Sequence, residues 1–177
     1  NDVLLAMATG ALREYLSSRG DPVDGLGIRA IVPVNLRPEG QARELGNRFG
    51  LVFLDLPIGT EDPLQRLREV RAHMQALKGS FQPLIVLGLL HAVGYGPRIL
   101  QEQITGLLSQ NASAVMTNVP GPQHPVWFAG RRIEELNFWV PQSGGIGMGV
   151  SILSYDGRIQ FGLIADAGLV PDPDRIV

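Results

Sequence analysis

The sequence predicts an α/β fold in which a mixed β-sheet is covered by helices. The hydrophobic periodicity changes along the chain from a helix to two strands, then to two helical regions, then to several strands. That order suits a mixed sheet with helices packed on it. The 177 residues are 45% hydrophobic, enough to bury a sizeable core, and no repeat or linker divides them. We therefore expect one domain over residues 1–177.

The first helix is predicted to begin at Asn1 and to be buried on all sides in its N-terminal half. From Asn1 to Leu12 there is almost no polar side chain, whereas the turns before Gly20 are polar. A helix that is apolar all round must be covered by other protein, and exposed termini are normally polar. We therefore expect further chain upstream. The apolar stripe of the helix is Leu5, Ala8, Leu12 and Leu16.

Two strands and a capped helix are predicted next. The segment Ile28–Asn35 is rich in β-branched residues, and Pro33, which cannot donate to a ladder, indicates an edge strand or a bulge. The nearly continuous apolar run Phe49–Pro57 indicates a strand covered on both faces. Asp62 is placed to cap a helix whose first residue is Pro63. The predicted buried stripe of that helix is Leu64, Leu67, Val70, Met74 and Leu77.

The most hydrophobic run lies in a second helical region, residues 83–108, which is expected to break near residues 94–97. The run Leu84–Tyr95 is too short to span a bilayer, which needs about 20 apolar residues. A core helix is the first interpretation. A helix lying at a lipid interface is the alternative.

Strands are predicted for most of the remaining chain. Ala112–Val119 and Ile133–Val140 have strand-like composition, and Asp156-Gly157 has the sequence of a two-residue hairpin turn. The turn fixes the register of its two arms. The predicted opposite pairs are Ile152 with Phe161 and Val150 with Leu163.

Composition excludes several functional classes. The chain has no Cys, which rules out disulfides, thiolate nucleophiles and zinc–thiolate sites. Its 15 basic and 17 acidic side chains give no electrostatic reason to expect nucleic acid as a partner. The absence of Cys is compatible with a reducing compartment, and we expect a cytoplasmic location. No secretory signal is visible in these residues, although one could lie upstream of Asn1.

Three histidines are the available bases, but none has the partners that catalysis or metal binding needs. No Ser-His-Asp order, paired His or carboxylate cluster accompanies them, so a structural role is favoured for each. These residues are His73, His91 and His124.

A glycine-rich stretch, residues 143–149, resembles a phosphate-binding loop only superficially. It lacks a Gly-Lys-Ser/Thr end and leads into a strand rather than a helix. A small-residue strand packed closely against another backbone or a ligand is favoured, and such a strand also suits a narrow channel for an acyl chain. The candidate channel residues are Gly144, Gly145, Gly147 and Gly149.

The segment Thr117–Pro122 is the more specific signal. Thr117 and Asn118 lie at the end of a predicted strand, followed by a rigid Pro-Gly-Pro turn. Their side chains could be held firmly enough to hydrogen-bond a substrate carbonyl. Thr and Asn at strand ends also often satisfy only the backbone of a turn. The residues alone leave both possibilities open.

Taken together, five segments resemble the C-terminal half of bacterial wax ester synthase/acyl-CoA:diacylglycerol acyltransferases. They follow one another in the family's order and span nearly the whole chain. They are Asn1–Ala6, Val32–Pro38, Leu45–Gly50, Thr117–Pro122 and Ser151–Asp166.

The resemblance implies a chloramphenicol-acetyltransferase-like fold of two related halves around a tunnel. It implies transfer of a fatty acyl group from acyl-CoA, a substrate, to diacylglycerol or a long-chain alcohol, with no metal or prosthetic group required. The family's general base is the second His of a His-His-x-x-x-Asp-Gly motif in the N-terminal half, and this sequence has no His-His pair. We therefore expect the chain alone to be inactive.

The resemblance also implies partners. These are the N-terminal half of the enzyme, acyl-CoA, a lipid acceptor, and peripheral contact with the inner membrane face or lipid inclusions. Two other functions remain open: a non-catalytic lipid-binding or scaffold module, and a condensation-type acyltransferase half that uses another acceptor.

The resemblance assigns expected roles to individual residues. Asn1 and Asp2 are expected to support the active site, although Asp2 could equally be a helix N-cap. Thr117 and Asn118 are expected where the two halves meet, beside the tunnel, and residues 144–149 are expected to border the acyl or alcohol channel.

Overall fold

Five strands form one mixed sheet, as predicted. The structure is a computed structural model that describes residues 1–37, 49–142 and 145–176. The strands in this part of the chain are β1 (Ile28–Asn35), β2 (Phe49–Leu56), β3 (Ala114–Pro120), β4 (Trp127–Phe128), β5 (Arg131–Arg132), β6 (Met148–Tyr155) and β7 (Arg158–Ala165). The sheet order is β2-β1-β3-β6-β7, and β4 and β5 form a separate two-stranded ladder. The pairs β1–β3 and β3–β6 are parallel, and the two outer pairs are antiparallel.

Two helices cover one face of the sheet. The helices are α1 (Asp2–Ser18), α2 (Pro63–Lys78), α3 (Gln82–Gly94) and α4 (Arg98–Gln110), followed by a short 3₁₀ turn, Pro173–Arg175. The break between α3 and α4 falls where the sequence predicts it. Side chains from α1, α2 and the sheet form the main core, which includes Leu5, Leu12, Val32, Leu54, Val70, Met116 and Val150.

β1 is an interior strand, so the prediction of an edge strand is wrong. It lies between β2 and β3, but its pairing with β3 covers only Ala30 and Ile31. Pro33 is opposite Leu51 of β2 and lies beyond the last β3 pair. The missing N–H of Pro33 is therefore tolerated, because that part of β1 has a partner on one side only.

β2 is the edge strand, and only one of its faces is fully buried. Val52 and Leu54 face the main core, and Gly50 on the same face is covered by Pro83 of α3, whereas Leu51 and Phe53 are half-buried. The prediction that both faces are covered is therefore too strong. The outer edge of β2 is covered by α3 instead of another strand: the backbone N–H of Phe53 donates to Gln82 Oε1 at 3.4 Å.

The β6–β7 hairpin has the predicted register. Ile152 lies opposite Phe161 and Val150 opposite Leu163. The turn residues are Asp156, with φ of 48°, and Gly157, with φ of 75°. Positive φ at both central positions is what a two-residue turn of this type requires.

The predicted strand Ile133–Val140 is wrong. This segment crosses the face of the β6–β7 hairpin; apart from the Ile133 N–H, which donates to the Val126 carbonyl at 2.9 Å, its hydrogen bonds to the hairpin are made with side chains. The backbone N–H of Leu136 donates to Gln160 Oε1 at 2.9 Å, and the Tyr155 hydroxyl donates to the Ile133 carbonyl at 2.7 Å. A Cβ atom at Gly149 would lie 3.2 Å from the Val140 carbonyl oxygen. Small residues on the sheet therefore let the segment's backbone approach closely.

α1 is not buried on all sides within the part of the chain that the structure describes. Leu5, Ala8 and Leu12 are buried as predicted. Val3 and Met7, on another face, are 55% and 65% exposed. The N-terminal half of α1 therefore presents an uncovered apolar surface.

α2 is capped as predicted, whereas α3 differs from a core helix. Asp62 Oδ1 accepts a hydrogen bond from the Gln65 backbone N–H at 2.6 Å. Leu84 and Ile85 of α3 are 56% and 67% exposed, because α3 packs at the sheet edge and none of the described residues covers its outer side. Leu64, predicted in the buried stripe of α2, is 63% exposed because it lies in the first turn, before α2 reaches the sheet.

The membrane test gives a limited result. Among the described helices, none is by itself long and apolar enough to cross a bilayer; Pro63–Leu77 and Gln82–Gly94 meet the criterion only as a pair, bent by 58°.

The resemblance segment Leu45–Gly50 lies outside the described residues except for its last two positions.

Candidate functional site

Residues from the first and fourth resembling segments, Asn1 and Asn118, meet at the end of the sheet. The Asn118 side-chain amide Nδ2 donates to Asn1 Oδ1 at 2.6 Å, across a sequence separation of 117 residues. Asn118 lies near the carboxyl end of β3, on the same face as the buried Met116 and beside Ile152 of β6. The first turn of α1 is therefore held over the carboxyl ends of the two central parallel strands.

Asn1 occupies the N-cap position of α1 without acting as a side-chain cap. Its carbonyl accepts the N–H of Leu5 at 3.0 Å, but its side chain bonds to Asn118 instead of to an α1 amide. Asp2 is the first helical residue, so its alternative role as the N-cap is wrong. Its carboxylate instead lies in the first turn, where negative charge is favourable to the helix dipole.

An apolar groove of about 520 Å³ runs along α1 from this position. It lies between the exposed side of α1 and the β6–β7 hairpin. Asn118 is the register partner of Ile152, and Asn1 precedes Leu4 by less than one helical turn, so the hydrogen-bonded amides lie near the groove without lining it. No lining side chain carries a charge or a hydrogen-bonding group. The lining residues are Leu4, Met7, Ala8, Ala11, Ile152, Ile159, Phe161 and Ile176.

Thr117 does not share this site. Successive strand residues point to opposite faces, so Thr117 lies on the far face of the sheet, beside Ser151. Ser151 is 3% exposed, and its hydroxyl donates to the Gly162 carbonyl at 3.3 Å. Of the two polar strand-end residues, only Asn118 lies on the face of the sheet that carries the groove, beside the lining residue Ile152.

The Pro-Gly-Pro turn fixes the end of β3 to the hairpin. The backbone N–H of Gly121 donates to the Ser154 carbonyl at 2.9 Å, and that of Asp156 donates to the Pro122 carbonyl at 3.0 Å. A Cβ atom at Gly121 would collide with the Ser154 carbonyl oxygen, so the approach requires glycine. This turn therefore holds Asn118 in place relative to β6.

The glycine stretch lies at the other end of the sheet. Gly144 is outside the described residues, and Gly145 has open space where a side chain would be. Gly147 precedes β6 and packs against the Leu169 side chain, and Gly149 packs against Val140 and Ile164. The structure therefore does not bring these glycines together with Asn1 and Asn118.

Gly147 instead lines a second, smaller pocket of about 220 Å³ at the C-terminal end of α1. There the Tyr15 hydroxyl donates to Asp172 Oδ1 at 2.6 Å, and Arg19 donates to the Tyr15 oxygen at 2.9 Å. The Tyr15 hydrogen bond lowers the pKa of Asp172, and the same hydroxyl raises the pKa of Arg19. Sequence reasoning missed this cluster because Tyr15 and Asp172 are 157 residues apart.

None of the three histidines lines the groove. His73 Nδ1 lies 2.7 Å from the Asp55 carbonyl, beside β2, and His91 and His124 are exposed on α3 and in the loop after β3. No group of three or more His, Cys, Asp or Glu that could hold a metal ion occurs in the described ranges. The groove as described therefore offers an apolar surface with the Asn1–Asn118 amides nearby, and no histidine lines it.

Comparisons with known proteins agree on one family. A family model described as the WS/DGAT C-terminal domain matches residues 45–177. A probable diacylglycerol O-acyltransferase of Mycobacterium tuberculosis is 32% identical over 180 residues, covering 99% of this chain and 39% of the relative. The chain thus spans about two fifths of the length of the curated relatives it matches.

Two solved structures show the same fold. The wax ester synthase/diacylglycerol acyltransferase from Marinobacter aquaeolei VT8 matches 99% of this chain and 40% of its own, with a TM-score of 0.69 and 22% identity. A nonribosomal peptide synthetase matches 94% of this chain and 16% of its own, with a TM-score of 0.56 and 18% identity. At these identities the likeness establishes the architecture, and the family assignment comes from the sequence matches. The chain belongs to the WS/DGAT C-terminal domain family.

Proposed function

We propose that this chain is the C-terminal domain of an O-acyltransferase that moves a fatty acyl group from acyl-CoA to diacylglycerol or a long-chain alcohol. The observation that carries the proposal is the groove beside α1, whose lining side chains are all apolar and which lies near the Asn1–Asn118 pair. Its volume of about 520 Å³ is in the usual range for ligand sites, and its lining suits a hydrocarbon chain. The nearby amides suit a carbonyl or hydroxyl oxygen.

In this reaction the chain positions substrate and the rest of the enzyme supplies the base. The acceptor hydroxyl loses its proton to that base, its oxygen bonds to the thioester carbonyl carbon, and the C–S bond breaks to release coenzyme A as the thiol. General-base catalysis is worth roughly 10²- to 10⁴-fold. A chain with no histidine at its groove is therefore expected to lack measurable transferase activity alone.

The test compares the full-length protein with this chain alone, using acyl-CoA and three acceptors: dioleoylglycerol, hexadecanol and hexadecylamine. We expect oxygen acylation by the full-length protein only. Equal turnover by the isolated chain would contradict the proposed division of labour. Transfer to the amine in preference to both alcohols would favour a condensation-type enzyme.

The site roles follow from the same proposal. Asn1 and Asn118 orient the reacting groups, Asp2 and Thr117 support them from α1 and from the far face of the sheet, and residues 144–149 border a channel. Cross-linking with a photoreactive acyl-CoA distinguishes the groove from the glycine stretch as the binding site of the acyl chain. Adducts on Met7 or Phe161 would place the acyl chain in the groove, and adducts at Gly145 would place it in the glycine stretch.

A non-catalytic lipid-binding module is the second candidate, because the groove lining has no polar group. Binding of fatty acid by the full-length protein without any acyl transfer would favour it. Under the leading proposal the enzyme works in the cytoplasm at a lipid surface, either the inner membrane face or lipid inclusions. Fractionation of cells that express the full-length protein tests that location.

A further inference from the structure

The outer edge of β7 presents backbone hydrogen-bonding groups to the outside of the sheet. β7 is the last strand of the sheet, and β6 pairs with one side of it. In an antiparallel pair, successive residues direct their backbone groups alternately towards and away from the neighbouring strand. The Tyr155–Arg158 pair closes the two-residue turn and is therefore hydrogen-bonded. Counting from it, the N–H and C=O groups that point away from β6 belong to Ile159, Phe161 and Leu163. We call these groups the β7 edge.

Two hydrogen bonds agree with this orientation. The Ser154 carbonyl, opposite Ile159, accepts the Gly121 N–H at 2.9 Å and so points towards β3, away from β7. The Asp166 N–H donates to the Gly147 carbonyl at 2.9 Å, one step beyond the last pair of the ladder, as the alternation requires. In the part of the chain that the structure describes, no group is hydrogen-bonded to the β7 edge.

The β7 edge lacks the features that normally keep an edge strand from pairing. Such strands are usually short, bulged, or marked by Pro or charged side chains. β7 pairs over 8 residues without a bulge, and from residue 159 to residue 165 it has no Pro and no charged residue. At the opposite edge of the sheet, α3 covers β2, and the Phe53 N–H donates to Gln82 Oε1 at 3.4 Å. The described chain therefore covers one edge of the sheet and leaves the other as a template for a further strand.

The side chains of β7 indicate what kind of strand fits there. Ile159 and Phe161 line the groove, and Ile159 is 53% exposed. Ile164 lies on the opposite face of the sheet and is 40% exposed. An added strand would meet apolar neighbours on both faces, while its backbone would bond to the β7 edge. A strand with apolar residues on both faces is therefore the best fit.

The remainder of the full-length enzyme is the source of such a strand that the observations favour. The chain spans 39% of a mycobacterial relative and 40% of the Marinobacter structure, so both contain much more chain than the matched domain. Under the proposed function that remainder completes the groove, and two of the lining residues, Ile159 and Phe161, belong to β7. The remainder would then lie directly beside the β7 edge.

We propose that an apolar strand from the remainder of the full-length enzyme pairs with the β7 edge and adds a sixth strand to the five-stranded sheet. This inference rests on the proposed function, in which the remainder completes the groove. It adds where the remainder contacts this domain and by which kind of bond.

Amide hydrogen exchange in the full-length protein, resolved to single residues, tests the pairing. The amides of Gln160, Gly162 and Ile164, which bond to β6, are the internal controls. We expect the amides of Phe161 and Leu163 to exchange within about tenfold of these controls, because an amide in a ladder exchanges only when the strand opens. Exchange faster than this would show that the β7 edge is open and would overturn the proposal. Protection that increases with protein concentration would overturn it as well, because the partner would be a second copy.

A pair of substitutions distinguishes a paired strand from any other kind of cover. Leu163→Ala and Leu163→Pro both shorten the side chain, but only Pro removes the outward N–H. Pro is tolerated in a strand where its missing N–H has no partner. We expect the full-length Leu163→Pro variant to unfold about 2 °C or more below Leu163→Ala, since it loses a hydrogen bond as well. Equal unfolding temperatures would contradict pairing, and the exchange measurement does not require either variant to fold.

Acyl transfer by the unmodified full-length protein is measured separately. Acyl transfer together with an open β7 edge would overturn only this inference. A protected β7 edge without acyl transfer would overturn only the proposed function.

Discussion

At the scale of single residues, the most consequential contact is the hydrogen bond between Asn1 and Asn118. It uses the side chain that would otherwise cap α1, and it joins the helix to the end of the central parallel strands. The contact is polar and partly exposed, so its value lies in fixing where α1 begins relative to the groove rather than in a large contribution to folding.

A double-mutant cycle tests this contact. We expect Asn1→Ala and Asn118→Ala to show a coupling of about 0.5–1.5 kcal/mol in the free energy of unfolding, the usual net worth of such a hydrogen bond. Thr117→Ala, on the opposite face of the sheet, provides the control and is expected to show coupling with Asn1→Ala near zero. Equal coupling for both pairs would mean that the amide contact has no specific role.

The Tyr15–Asp172 contact makes a prediction about pH. The pKa of Asp172 is lowered chiefly by the Tyr15 hydroxyl, so its contribution to stability is present above the ordinary aspartate pKa and is lost as pH falls through the lower, folded-state value. Tyr15→Phe is expected to move the pKa of Asp172 back towards its ordinary range, as measured by NMR titration of the carboxyl group. Tyr95→Phe, at an exposed tyrosine on α3, is expected to leave the titration unchanged; an unmoved pKa in Tyr15→Phe would contradict the assignment.

At the scale of elements, short-range signals determine where several helices and turns begin. Asp62 and Pro63 start α2 as the sequence predicts, because an acceptor side chain and a preset φ act within one turn. The Asp156-Gly157 turn sets the β6–β7 register for a similar reason. The position of an element in the sheet depends on its contacts with other segments of the chain. The two predictions that depend on such contacts, an edge strand at Pro33 and a strand at Ile133–Val140, are wrong.

The α2 cap can be tested directly. Asp62→Ala is expected to cost about 0.5–2 kcal/mol of unfolding free energy, because it leaves the Gln65 backbone N–H without its acceptor. Asp62→Asn keeps an acceptor oxygen and is expected to retain most of that stability in urea unfolding. If both substitutions cost the same, the lost charge rather than the lost cap would be the cause.

At the scale of the whole molecule, the described chain has two separate apolar surfaces, the groove beside α1 and the exposed side of α3. The chain spans 39% of the length of a relative that it matches. Under the proposed function, the remainder of the enzyme completes the groove and contributes the base.

The rate of methionine oxidation tests whether the remainder of the enzyme covers the groove. Met7 is 65% exposed on the groove side of α1, whereas Met74, Met116 and Met148 are at most 8% exposed. In the isolated chain, peroxide is expected to oxidise Met7 at least about tenfold faster than the three buried methionines, which serve as internal controls, as read by mass spectrometry. In the full-length protein Met7 is expected to be protected; equal rates in the two proteins would mean that the groove stays open.

The sequence by itself determined the α/β class, the helix and hairpin boundaries with local signals, and the family, because caps, turns and motifs depend on residues close together in the chain. Only the tertiary structure decided that β1 is interior, that residues 133–140 cross a sheet face, and that Asn118 reaches Asn1 whereas Thr117 does not. The physical reason is that strand order and side-chain facing depend on packing between segments that are not neighbours in the chain, from 24 residues apart for Leu136 and Gln160 to 117 for Asn1 and Asn118. The exposed apolar sides of α1 and α3 are also features that the sequence does not explain by itself. The hydrophobicity of a helix predicts that its surface needs a partner, but it does not predict which partner covers it.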